Sequence, residues 1–200
     1  MADVSVNREL SFAITWTIVD EPMERSSHAL AVEGRVWLID PVTDEDALAA
    51  AQKMGEIAGV IQLLDRHERD CAELASRYGV EHLRLPETID DTPFELLEVV
   101  SVPAWRELGL WWPEHSLLVV AETVGTCAYF AVGRPLGMHP MLRLLPPGAL
   151  REYVPDHLLV GHGPPLHNGA SDELSEAYER SRRDAPRAVV EAVRSFSRGG

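Results

Sequence analysis

The stretch Gly-Val-Ile-Gln-Leu-Leu at 59–64 is apolar but for Gln62, and six polar residues, Asp65 to Asp70, follow it directly. Half-buried strands alternate polar and apolar residues. A short continuous apolar run instead reads as a strand covered on both faces. Helical segments flank it. Thr43 and Asp46 form a capping box that opens a helix running to about Gly55, and residues 68–78 (ERDCAELASRY) form a second helix stopped by Gly79. A doubly covered strand between two helices requires a layered mixed fold.

The rest of the chain agrees. Residues 9–19 and 28–40 read as strands, with a hairpin turn at Glu33-Gly34 and a break at Pro41. Short strands are expected at 81–84, 97–102, 115–121 and 157–161, and residues 133–150, rich in Gly and Pro, as an irregular excursion. The last thirty residues read as two helices, the second starting near Asp184 with Pro186 in its first turn. Trp105, Trp111 and Trp112 are expected as core or pocket wall, or with Leu108 and Leu110 as an apolar lid. Without repeats or a linker, residues 1–200 read as a single domain of α/β (α+β) class.

Charge narrows the partners. Eighteen basic against thirty-two acidic residues give −14. Lys53 is the only lysine, and the arginines are scattered apart from Arg180, Arg182 and Arg183. Nucleic-acid binding needs a local basic excess, so neither nucleic acid nor an anionic membrane is expected as a partner. A small-molecule substrate or ligand is expected instead, and a homo-oligomer is compatible with the composition. No apolar run reaches the ~20 residues that span a bilayer, and MADVSVNREL does not read as a secretory signal. A cytoplasmic location and two reduced thiols, Cys71 and Cys127, are the expectation.

Three strand ends carry polar residues that packing does not demand: Asp65 to Asp70, Ala121-Glu122-Thr123, and Gly161-His162-Gly163-Pro164-Pro165. Ligands of α/β sheets gather beyond the carboxyl ends of strands. Asp65, His67, Asp70, Glu122 and His162 together offer the oxygen and nitrogen donors that suit zinc, iron or manganese.

This arrangement, from about residue 26 to 170, resembles the metallo-β-lactamase fold superfamily. SSHALAVEGRVWLIDP is similar to its opening hairpin, VVAET to the strand ending in its bridging aspartate, and LVGHGPPL to its last histidine loop. The resemblance implies a four-layered αββα sandwich with a metal site along one edge. It also implies departures. Against the superfamily's His-x-His-x-Asp-His the chain reads Asp65-Arg66-His67-Glu68-Arg69-Asp70, Glu122 stands for the bridging aspartate, and Trp105 falls where a middle histidine is expected.

Two readings follow from the resemblance. In one, a single ion is held by some of Asp65, His67, Asp70, Glu122 and His162, and the chain hydrolyses a small ester or lactone, with Asp65 or Asp70 taking the proton. In the other, Arg69 replaces the metal's charge by pairing with Glu122 or Asp70, and a non-catalytic protein acts by binding or assembly. His167 is a candidate for support of His162.

Overall fold

The structure, a computed structural model, describes residues 3–197. Its first sheet contains β1 (Val4–Leu10), β2 (Ala13–Ile18), β3 (Ser26–Val32), β4 (Arg35–Ile39), β5 (Glu56–Gln62) and β6 (Glu81–Arg84), in that spatial order. Strands β1 to β4 meander antiparallel, whereas β4, β5 and β6 run parallel. Parallel neighbours need a crossover, which α1 (Glu45–Gln52) and α2 (Cys71–Tyr78) supply. The second sheet begins with β7 (Glu95–Val102), β8 (Trp105–Trp112) and β9 (Leu117–Val120). A small ribbon of β10 (Val124–Gly125) and β11 (Gly137–Met138) brackets α3 (Ala128–Ala131). Then β12 (His157–Val160) pairs parallel to β9, β13 (Leu166–His167) closes the edge, and α4 (Ala170–Ser197) ends the described chain.

Side-chain alternation builds two cores. Along β4, Val36 and Leu38 face α1 and α2 with Ala47, Leu48, Cys71 and Leu74. Trp37 and Ile39 point the other way, into a larger core with Leu110, Trp112 and Val119 of the second sheet. Ala170, Leu174, Ala177 and Tyr178 of α4 join that larger core, which completes the helix–sheet–sheet–helix layering. Both faces of β4 and β5 are therefore covered, as the continuous apolar run at 59–64 requires.

Several local expectations are corrected. Residues 9–19 are not one strand, because a turn at Ser11-Phe12 separates β1 from β2. The cap of α1 is Asp44, whose side chain accepts from the Ala47 amide at 2.8 Å, and not Thr43. Residues 105–112 are a sheet strand rather than a lid: Leu110 and Trp112 are core, and Leu108 packs against it. The final helix is continuous through Pro186, where two helices were expected. The Glu33-Gly34 turn holds as expected, with φ of 51° and 79° at its two residues, the geometry of a type I′ hairpin.

Candidate metal centre

The parallel strands decide where the site lies. β4, β5, β9 and β12 point their carboxyl ends to one edge of the sandwich, and each is followed there by polar residues: Asp40, Asp65 to Asp70, Glu122 and His162. Among the described residues, His67, Glu122 and His162 bring ligand atoms within 4.8 Å of one another. A cleft of about 430 Å³ opens over them, lined also by Glu21, Met23, Arg25, Arg66 and Arg69. A larger groove of about 640 Å³ lies at the opposite end of β4 and β8, between Arg35, Asp91 and His115, away from this cluster.

The loop bearing His162 is held by close packing. A Cβ on Gly161 would lie 2.1 Å from the Ala121 carbonyl oxygen, and Gly163 has φ of 94° with Thr126 and Cys127 backed against it. The Ser26 amide donates to the Gly161 carbonyl at 2.8 Å, and the Gly163 amide to the Glu24 carbonyl at 2.7 Å. These bonds stitch the second sheet's loop to the first sheet.

Both histidines present the same nitrogen. His67 Nδ1 lies 3.0 Å from Asp40 Oδ2, and His162 Nδ1 lies 2.9 Å from the Met23 carbonyl oxygen. Each partner only accepts, so Nδ1 carries the hydrogen and Nε2 keeps its lone pair. Burial, first, and then neighbouring charge hold both rings well below the ordinary histidine range, so both are neutral. His162 Nε2 is buried without a hydrogen-bond partner among the described residues. A neutral imidazole with Nδ1–H fixed by a carboxylate or carbonyl is the usual state of a metal-ligating histidine. Two such nitrogens and one carboxylate fit a zinc-, iron- or manganese-type ion.

No family model and no curated protein matches the chain. Solved structures do. The DIM-1 metallo-β-lactamase aligns at a TM-score of 0.62 and 12% identity, over 90% of this chain and 98% of that one. The chain has the metallo-β-lactamase fold. TMB-1 aligns at 0.60 and 14% identity over 94% of this chain and 100% of its own. VMB-1 aligns at 0.57 and 9% identity, over 92% and 99%.

Within that fold the expected acids take separate partners. Asp65 Oδ2 accepts from the Arg106 amide at 2.9 Å, while its Oδ1 is buried without a partner among the described residues. Asp70 Oδ2 accepts from the Thr43 amide at 2.7 Å. Neither belongs to the cluster of His67, Glu122 and His162. Trp105 stands edge-on to His139, with ring centroids 4.9 Å apart.

The arginines also differ from expectation. Glu122 pairs with Arg66, and not with Arg69. Arg69 donates to three backbone carbonyls: that of Ser26, that of Asp40 at 2.7 Å and that of Gly161 at 3.0 Å. It thus ties the ends of β4 and β12 to the start of β3, from a left-handed backbone position with φ of 38°. A buried fixed cation at this place leaves little room for a second metal ion. His167 does not support His162: it packs against His157, ring centroids 5.2 Å apart, on the far edge strand.

Three residues that sequence reading did not place in the site complete it. Asp40, which ends the opening hairpin, also accepts from the Leu63 amide at 2.9 Å. Glu107 is wholly buried in β8 and accepts from the Glu122 amide at 2.8 Å, the Thr123 amide at 2.9 Å, the Thr123 hydroxyl at 2.8 Å and Trp105 Nε1 at 3.3 Å. It fixes the turn that aims Glu122. His139 Nε2 lies 3.9 Å from Glu122 Oε1.

The buried histidines make the fold acid-sensitive. Burial, then the Arg69 charge, lowers His28 to about 3 from an ordinary 6.5, and burial lowers His139 to about 4. Between those values and 6.5 the unfolded chain binds the proton and the folded one does not. Stability present above pH 6.5 is therefore lost as pH falls. His28 alone contributes about 2 kcal/mol of loss between pH 6.5 and 5. Asp40, raised by burial to about 6 from 3.8, opposes this over pH 6 to 4, as do Glu107 and Glu24, which burial also raises. These acids stand against five lowered histidines: His28, His67, His139, His162 and His167. Urea midpoints at pH 7 and pH 5 should fall in that order, and His28→Asn should narrow the gap.

Proposed function

We propose that the chain is a hydrolase with a single divalent ion held by His67, Glu122 and His162, acting on a small ester or lactone. The observation that carries this reading is the pair of neutral histidines, each with Nδ1 fixed and Nε2 free, facing one carboxylate across a cleft. When bound, such an ion lowers the pKa of a water molecule toward 7 and polarises a carbonyl oxygen. The chain's own residues orient and receive. Asp40 and the Met23 carbonyl hold the two imidazoles in their tautomers. Of the two expected acids, Asp65 keeps one carboxylate oxygen, Oδ1, without a partner among the described residues, and it is the one we assign to take a proton. Asp70 spends its carboxylate on the Thr43 amide. Of the three arginines that line the cleft, Arg25 is paired with Glu21 and Arg66 with Glu122, so it is chiefly Arg69 whose charge favours an oxygen gaining negative charge during acyl transfer.

A second reading is favoured by one observation, the Arg66–Glu122 ion pair, which satisfies the carboxylate without a metal. On that reading the protein binds a small molecule and does no chemistry. A panel of aryl esters and lactones separates the two. With zinc, iron or manganese supplied, turnover that a chelator abolishes and that His67→Ala lacks supports the hydrolase. Absence of turnover with any of the three ions leaves the binding protein.

A further inference from the structure

Of the three arginines at the cleft, Arg25 is paired with Glu21, and the other two differ in their freedom. Arg69 is buried against three backbone carbonyls that span both sheets, so it cannot leave without opening the fold. Arg66 has 42% of its side chain exposed at the cleft mouth. One of its amino groups pairs with Glu122 Oε2, and the other donates to the Ala104 carbonyl at 3.1 Å. Its guanidinium carbon sits 4.3 Å from the Trp105 ring centroid. Trp105 itself is buried. The other Glu122 oxygen faces His139 Nε2 at 3.9 Å, and that nitrogen carries a hydrogen because the Met141 amide donates to His139 Nδ1 at 3.2 Å. Glu122 Oε2 is thus held by Arg66, its Oε1 lies beyond hydrogen-bond reach of the neutral His139, and His162 Nε2 has no partner among the described residues. The donor set is split: two nitrogens wait, and the carboxylate is already held by a cation.

We propose that Arg66 is the centre's internal counter-ion, which an incoming divalent ion must displace from Glu122. This rests on the metal centre assigned above. A metal ion and a guanidinium compete for the same carboxylate, and two cations sharing it repel each other. The exposed arginine is the one able to yield, turning outward along the Trp105 face. Metal loading is then coupled to the position of Arg66. The fold holds together in either state because Glu122 always has a cation beside it.

The test is zinc affinity, measured by competition against a chromophoric chelator, for wild type and Arg66→Met, each with and without His162→Ala as a site control. Removing the competitor should tighten zinc binding about tenfold, equivalent to about 1.4 kcal/mol. Zinc taken up by Arg66→Met and not by wild type supports the proposal most strongly. Unchanged or weaker binding in Arg66→Met overturns it, since the guanidinium then serves to position Glu122. If His162→Ala leaves zinc binding intact in both backgrounds, the ion sits elsewhere and the metal-centre reading fails with it.

Discussion

Arg69→Met is expected to lower the free energy of unfolding by about 3 kcal/mol. The guanidinium is the common donor to the carbonyls of Ser26, Asp40 and Gly161, so its loss removes three hydrogen bonds at the seam between the sheets and leaves the Gly161 carbonyl with the Ser26 amide alone. Asp40 also loses the nearest cation that stabilises its charge, against a desolvation that already raises it to about 6. Methionine keeps the length of the side chain, so the loss reports polar bonding rather than a cavity. Urea denaturation at pH 7 measures it. A change below about 1 kcal/mol would mean that water replaces the guanidinium at little cost, and that Arg69 does not clamp the sheets.

Glu107→Ala is expected to cost a similar amount, about 3 kcal/mol, and to damage the site as well. The carboxylate is an acceptor for four donors in a part of the second sheet where no water reaches it: two amides, one hydroxyl and one indole. Burial pushes its pKa up, and those four bonds pull it back. Without it the Glu122-Thr123 turn loses its anchor, so Glu122 no longer holds its position opposite the histidines. Glu107→Gln should lie between wild type and Ala, because the amide keeps one acceptor but turns its NH2 toward donors. Unfolding midpoints and zinc affinity together check this. A variant that loses stability but keeps full zinc affinity would show that Glu107 serves packing alone.

How far the site was legible follows from what each residue's role depends on. The apolar run at 59–64 predicts a doubly covered strand, because continuous burial leaves its mark on every side chain. His162 stands out between two glycines and before two prolines, and both glycines prove necessary for close backbone approach. Arg66, Glu107 and His139 were not legible as site residues. An acid inside a strand reads as a solvent-facing position unless the donors that converge on it are known, and those of Glu107 come from its own strand and from the turn after the next. The choice between Arg66 and Arg69 as partner of Glu122 turns on the backbone of the 65–70 loop. There the positive φ of Arg69 turns its side chain inward to the seam. Residue spacing does not encode that turn. Pro186 misled for a related reason, since a helix seated by Leu174, Ala177 and Tyr178 and continued by Ala188 tolerates the loss of one amide donor.

The most direct test of a single-ion centre at His67, Glu122 and His162 is metal content by plasma mass spectrometry, on protein purified without chelator or affinity tag and then incubated with zinc, iron or manganese. The same measurement on His162→Ala separates this site from adventitious ions. About one equivalent in the wild type, lost in the variant, is the predicted result. Less than a tenth of an equivalent in the wild type, or one equivalent retained in His162→Ala, would contradict it.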